Sequence, residues 1–180
     1  MGPRRVLEFA AVALVFAAPA HAGRQDWERA SEIGRGLLVV GAIGVPLAAE
    51  HPDERWEATL RAGGSIAASW TVTEVLKRTV REERPDKSDR RSFPSGHSSQ
   101  SFAAAGSLHK RYGWKVGIPA HAVAAFVATA RVKAKKHYVH DVLVGAAIGE
   151  ASAWLITQPG NSRVRWVPWG DTKSAGAFVS

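Results

Sequence analysis

Apolar runs of alanine, leucine, valine and glycine, with charged residues gathered at their ends, dominate the chain from residue 27 onward. None of them alternates apolar and polar residues for long enough to make a half-buried strand, which leaves helices as the regular structure they can form. The runs predict helices over residues 27–49, 53–83, 96–110, 116–132 and 137–157. Asp53 is the expected N-cap of the second, and the pair Gly63-Gly64 should weaken its middle. Arg84-Pro85 should end it, because the residue before a proline is pushed out of the α region. Pro119 falls early in the fourth helix, where proline is tolerated. The fold class is therefore all-α, a single-domain bundle of about five helices. Residues 158–180 read as an irregular tail with room for one short strand.

The first 22 residues stand apart. Arg4 and Arg5 precede an apolar run at 9–18, and Ala20-His21-Ala22 offers the small residues a signal peptidase reads. This predicts a signal peptide at 1–22 and an exported, periplasmic domain over 23–180; an uncleaved amphipathic anchor is the alternative. Two strongly apolar charge-free runs in the body, 36–49 and 116–130, hold 14 and 15 residues. Both fall short of the ~18 residues expected of a membrane span. Buried core helices are the simpler expectation, association with a membrane surface fits it, and an integral membrane bundle is the alternative, since small-residue runs also suit packed membrane helices. With no cysteine, neither a disulfide framework nor a thiolate metal site can form. A formal charge of +8 favours anionic partners such as nucleic acid, membrane lipid or phosphorylated substrates.

Three clusters at helix ends carry chemistry. Lys77 and Arg84 are seven apart, so a continuous helix would put them on one face two turns from each other. Both could then address one anion, Arg84 as a bidentate fork and Lys77 as a point charge; the plainer reading is cations favoured at a helix C-terminus. Arg78 and Arg81 fall elsewhere and read as solvated. In Pro94-Ser95-Gly96-His97, Gly96 admits close backbone approach, Ser95 offers a hydroxyl, and His97 enters the first turn of the next helix as a candidate general acid. The plainer reading makes Ser95 only an N-cap and His97 a surface residue. In the third cluster His137 and Asp141 are four apart, on one helix face, so the carboxylate can hold one ring nitrogen and leave the other as an attacking lone pair. Arg131 reaches the same place only if residues 133–136 form a turn. His137, His140 and Asp141 as metal ligands are the competing reading.

Together, Lys77-x6-Arg84-Pro85, Pro94-Ser95-Gly96-His97 and Arg131-x5-His137-x3-Asp141 resemble the three-part signature of the type 2 phosphatidic acid phosphatase family, which shares its fold with the vanadium haloperoxidases. The resemblance covers residues 77–141, in the family's order; Ala130 departs from it where a serine is usual. It implies a metal-independent phosphatase that works through a phosphohistidine. His137 would be the nucleophile, Asp141 its orienting partner and His97 the acid and base. Lys77, Arg84, Ser95, Gly96, His97 and Arg131 would hold the phosphate. No cofactor is implied, with vanadate a phosphate mimic or inhibitor. A phosphorylated lipid or other phosphate ester is the implied substrate, at or near a membrane surface, and nucleic acid is not an expected partner. A vanadate-dependent haloperoxidase and a non-catalytic phospholipid binder are the alternatives. His51, His109, His121 and His140 read as surface or core positions.

Overall fold

The computed structural model describes residues 22–159, 166–170 and 175–179; the expected leader, apart from Ala22, lies outside them. Five helices follow in order: α1 Arg24–Ala49, α2 Pro52–Thr79, α3 Gly96–Tyr112, α4 Trp114–Lys133 and α5 Val139–Ile156. The tail is more regular than expected, because β1 Trp166–Gly170 pairs antiparallel with β2 Ala175–Val179, Trp166 opposite Val179 and Gly170 opposite Ala175.

Several helix ends differ from the sequence reading. His51, not Asp53, is the N-cap of α2, and Pro52 occupies the first helical turn, where its missing N–H costs nothing. The same helix stops at Thr79, leaving Arg84 on the following loop. Helix α5 starts at Val139, so His137 precedes it and Tyr138 is its N-cap.

Helix α3 is the axis of the bundle and touches the other four. Its composition explains why. The buried residues Ser98, Ser99, Ser101, Ala103, Ala104, Ala105, Gly106 and Ser107 give it a narrow, nearly all-round small surface that four neighbours can approach. The approach of α5 is the closest. A Cβ added at Gly145 would lie 2.5 Å from the Ser95 carbonyl oxygen, and one at Gly149 would lie 2.3 Å from that of Ser99. Both contacts are with backbone that cannot move aside, so Gly149→Ala is expected to cost about 1–3 kcal/mol through overpacking. Gly41→Ala, whose Cβ would meet nothing within 4 Å, should be neutral or stabilising. Paired thermal melts in detergent check this, and equal Tm values for the two variants would contradict the packing account.

Buried hydroxyls supplement the small apolar core. The Thr157 hydroxyl lies 3.0 Å from that of Ser65 and 2.9 Å from that of Ser107, tying α2 and α3 to the end of α5. Large apolar side chains lie outside: Leu155 is 84% exposed, Leu60 71% and Val40 69%, with Trp70, Ile118 and Leu143 also on the surface. Small residues inside and large apolar ones outside reverse the usual order of a bundle stabilised by hiding its leucines from water, and suit helices packed in lipid. In the run 36–49 only Leu38, Ala42 and Pro46 are buried, so the expectation of a buried core helix is corrected there, whereas 116–130 keeps Gly117, Ala120, Val123, Ala124, Val127 and Ala130 buried. At 26 and 18 residues, α1 and α5 are long and apolar enough to cross a membrane, spanning roughly 39 and 27 Å against a hydrocarbon core of ~30 Å.

Candidate active site

The N-termini of α3 and α5 are fastened together, and the fastening builds the site. Ser95 N–H donates to the Asp141 carbonyl at 3.0 Å, and the Ser98 hydroxyl donates to the Val142 carbonyl at 2.6 Å. Two helix N-termini, each with unpaired N–H groups and the positive end of its dipole, thus lie side by side. Ser95 caps α3 by accepting from Ser98 N–H at 3.4 Å, and Gly96 and His97 open the helix. The cap does not use up the hydroxyl, whose proton is still available to a phosphate oxygen.

On the α5 side, Asp141 is fully buried at the third helical position. Its Oδ2 accepts from Tyr138 N–H at 2.9 Å, which caps the helix, and from the Ser92 hydroxyl at 2.5 Å. His137 Nδ1 lies 3.4 Å from the same oxygen. That is ion-pair distance but not an aligned hydrogen bond, and Nδ1 is a buried nitrogen without a proper partner. Catalytic hydrogen bonds are often loose in empty sites and tighten around substrate. Asp141 at Nδ1 leaves Nε2 of His137 as the nitrogen with a lone pair to offer. Burial pushes the His137 pKa down to about 4; Asp141 pulls it back up in part, and Arg131, Lys77 and Arg84 lower it further. At neutral pH the ring is therefore uncharged.

The cations reach the site by different routes. Lys133 ends α4, and Lys135 at φ 61° turns the chain, with Lys136 N–H closing onto the Arg131 carbonyl at 3.1 Å. This is the turn that Arg131 required. Its guanidinium is 4% exposed and makes one long contact, Nη1 to the Ser31 hydroxyl at 3.4 Å, while Nε has no partner. Lys77, at the end of α2, donates to the carbonyls of Arg91 and Ser92 at 2.7 and 3.3 Å, which leaves its third N–H. Burial, reinforced by Arg84, lowers its pKa to about 8. Arg84 does not share a helix face with Lys77. The loop carries it in, with Nε on Asp89 at 2.7 Å and Nη1 3.4 Å from the Lys136 carbonyl. Asp86 N–H bonds the Lys135 carbonyl and the Asp86 carboxylate pairs with Lys136 at 2.9 Å, so the loop and the basic turn are stitched together.

Helix α1 forms a wall that motif reading missed. Glu28, Ser31, Glu32 and Arg35 recur at helical spacing on one face of it. Glu28 lies 3.8 Å from Lys136, Ser31 meets Arg131, Glu32 bonds His97 and Arg35 bonds Gln100. The available signal was this polar stripe at i, i+3, i+4, i+7, running into the apolar second half of the helix. Glu32 Oε1 is 2.6 Å from His97 Nε2. Burial, with Arg131 and Arg35 nearby, holds the His97 pKa well below the usual imidazole range, and Glu32 opposes that shift.

The competing metal set takes a different form here. Glu82, His140 and Asp141 bring one ligand atom each within 4.8 Å of one another, so Glu82 stands where the sequence reading had His137. His140 Nε2 lies 2.9 Å from Glu82 Oε1 and 3.1 Å from Asp141 Oδ1. His140 is exposed, as expected, and beside the site it bonds Glu82 and lies within ion-pair distance of Asp141.

With this geometry the family can be stated. Residues 58–165 match the PAP2 superfamily model, and the chain belongs to that superfamily, the type 2 phosphatidic acid phosphatases that the motifs resemble. A decaprenylphosphoryl-5-phosphoribose phosphatase of Mycobacterium tuberculosis is 30% identical over 139 residues, covering 72% of each chain. A lipid A 4'-phosphatase of Helicobacter pylori is 36% identical over 92 residues, covering 51% of this chain. Those residues amount to 46% of that relative, so the chain spans about half its length. Among solved structures, Aquifex aeolicus LpxE superposes with a TM-score of 0.63 at 19% identity, covering 83% of this chain and 93% of that one, a likeness of fold.

Proposed function

We propose that the protein is a membrane-seated phosphatase that hydrolyses a phosphomonoester or diphosphate of a lipid through a phosphohistidine. His137 Nε2 attacks phosphorus, an N–P bond forms, and the P–O bond to the leaving group breaks. His97 gives the leaving oxygen its proton, then takes one from the water that hydrolyses the N–P bond and frees His137. Lys77, Arg84, Arg131, the Ser95 hydroxyl and the Gly96 N–H hold the three phosphoryl oxygens as charge spreads over them.

The observation that carries this reading is Arg131. A guanidinium with an unpartnered Nε, buried beside two histidines and lacking a carboxylate of its own, is costly unless an anion completes it. Two helix N-termini pointing the same way add to the demand. Lipid as the carrier of the phosphate is supported by the apolar outer surface and by relatives whose named substrates are phosphorylated lipids. Export to the periplasm remains part of the proposal, resting on residues 1–22.

The test is phosphate release from detergent-solubilised membranes, over a panel of monophosphoryl and diphosphoryl lipids, with and without excess chelator. The expected result is turnover of at least one lipid that chelator leaves within about 2-fold, since the charge stabilisation is assigned to fixed side chains. Activity abolished by chelator and restored by a divalent cation would overturn the mechanism and point to Glu82, His140 and Asp141 instead.

A further inference from the structure

A second basic site adjoins the first. Glu74, Lys77, Arg78, Arg81, Arg90 and Arg91 line one cavity of about 450 Å³, open to the surface. Arg78 and Arg81 are exposed, as the sequence predicts, and both line it. Lys77 belongs to both sites, because its Nζ holds the Arg91 and Ser92 carbonyls, and the Ser92 hydroxyl holds Asp141.

The charge balance of this cavity needs an explanation. Its single carboxylate, Glu74, is engaged with Arg91 at 2.5 Å. Arg78, Arg81 and Arg90 have no ion-pair partner among the described residues. Three unpaired guanidinia therefore face one concavity together with an ammonium. The three are exposed, yet like charges gathered around one concavity repel one another and attract an anion. Among the described residues no acid relieves them, although Asp89 is spent on Arg84 and Asp86 on Lys136 close by. An anion from outside is the missing partner. Guanidinia in a fork match phosphate oxygens, and a cavity of this volume admits a phosphate-sized group with room for its linkage.

We propose that this cavity is a second anion site, which holds a phosphate-like group while the phosphoryl group under attack lies between His97 and His137. The inference rests on the phosphatase reading for what the neighbouring site does, but its own binding does not depend on turnover. The second anion has two chemical sources. One is a second phosphate on the same substrate, which makes a doubly anionic lipid the preferred class. The other is the headgroup of a neighbouring anionic lipid, which makes the site a sensor of surface charge.

Binding to His137→Ala separates these from each other and from catalysis. The probes are a monophosphorylated lipid and its bisphosphorylated counterpart in neutral detergent micelles, then the monophosphorylated lipid in phosphatidylcholine vesicles with and without phosphatidylglycerol. The double variant Arg81→Ala/Arg90→Ala in the same background removes two exposed guanidinia that lie outside the phosphoryl site. A second phosphate bound by these arginines should tighten micelle binding by ~10-fold or more, and the double variant should erase that preference. A headgroup source should instead appear as tighter vesicle binding with phosphatidylglycerol, lost in the double variant. Absence of both preferences in the parent overturns the proposal. So does a double variant that weakens the monophosphorylated lipid in neutral micelles as much as the bisphosphorylated one, since the arginines would then only support Lys77. Absence of phosphate release by the wild type, with the preference intact, would remove the phosphatase reading and leave this site standing.

Discussion

Replacing His137 with alanine is expected to lower phosphate release by on the order of 10⁴–10⁶-fold, the scale seen when a covalent nucleophile is removed. The structure makes the residue hard to replace. Its ring is 2% exposed and flanked by Asp141, Arg131, Lys77 and Arg84, so the cavity left by alanine is a cationic one with no other nucleophilic nitrogen in its place. Substrate binding should survive, because Lys77, Arg84, Ser95, Gly96 and Arg131, to which phosphate binding is assigned under the proposal, are untouched. The wild type quenched in alkali should carry labelled phosphate on His137, and the variant should carry none. Retention of more than a few per cent of activity would remove His137 from the nucleophile role. A stability consequence accompanies the catalytic one. An unfolded imidazole titrates near pH 6.5, while folded His137 titrates at about 4. Between those values the unfolded chain binds more protons, so this group's stability contribution is present above the window and is lost as pH falls through it. The alanine variant should therefore lose less stability than the wild type between pH 6.5 and 4, read as a smaller drop in Tm.

How much of this was legible beforehand differs from residue to residue. The three clusters were found because motif residues sit at helix ends, where short-range rules about prolines, glycines and caps apply. The geometric reasons were less secure than the grouping. Lys77 and Arg84 were paired by helical spacing, yet α2 ends at Thr79. The β-branched Thr79-Val80 step weakens the helix, and tertiary bonds complete the break. Ser92 N–H takes the Glu82 carbonyl at 3.0 Å, and Lys77 takes the carbonyls of Arg91 and Ser92. These bonds join residues ten or more apart, which local propensity does not register. His137 and Asp141 meet as expected but not as helix neighbours: one precedes the N-cap and the other closes it.

The role of α1 was the largest omission. Nothing local marks Glu32 as the partner of a histidine 65 positions away. The same residues hid that the helix is long and apolar enough to cross a membrane. Counting charge-free runs treats Glu32 and Arg35 as interruptions, whereas on the folded helix they face His97 and Gln100 and leave the opposite side, with Ile33, Leu37 and Val40, apolar and exposed. A charge interrupts a span only if it faces the lipid.

Replacing His97 with alanine should produce a different defect, and the difference is what identifies its role. A general acid contributes ~10²–10⁴-fold when the leaving group is a poor one, such as the alkoxide of a lipid alcohol. With a nitrophenyl phosphate, whose leaving group needs no proton, the first step should lose far less. The second step still needs a base to deprotonate water, and the variant lacks it. The phosphoenzyme should then accumulate, giving a burst of about one nitrophenol per active site followed by slow turnover. Glu32 bears on the same step. It occupies Nε2 at 2.6 Å, so Nδ1 is the nitrogen left to exchange a proton with the substrate. Burial and the nearby arginines keep His97 deprotonated at neutral pH. A bound phosphate dianion must raise its pKa for it to act as an acid, so binding should take up a proton. Vanadate binding heats measured near pH 7, in buffers of different ionisation enthalpy, should report an uptake approaching one proton in the wild type and much less in His97→Gln. Glu32→Gln removes the charge that supports the protonated ring while keeping the side chain's shape, and should lower the uptake and slow lipid turnover with little effect on nitrophenyl phosphate cleavage. Equal losses on both substrates, with no burst in His97→Ala, would take the proton-transfer role away from His97 and leave it only a holder of the phosphate.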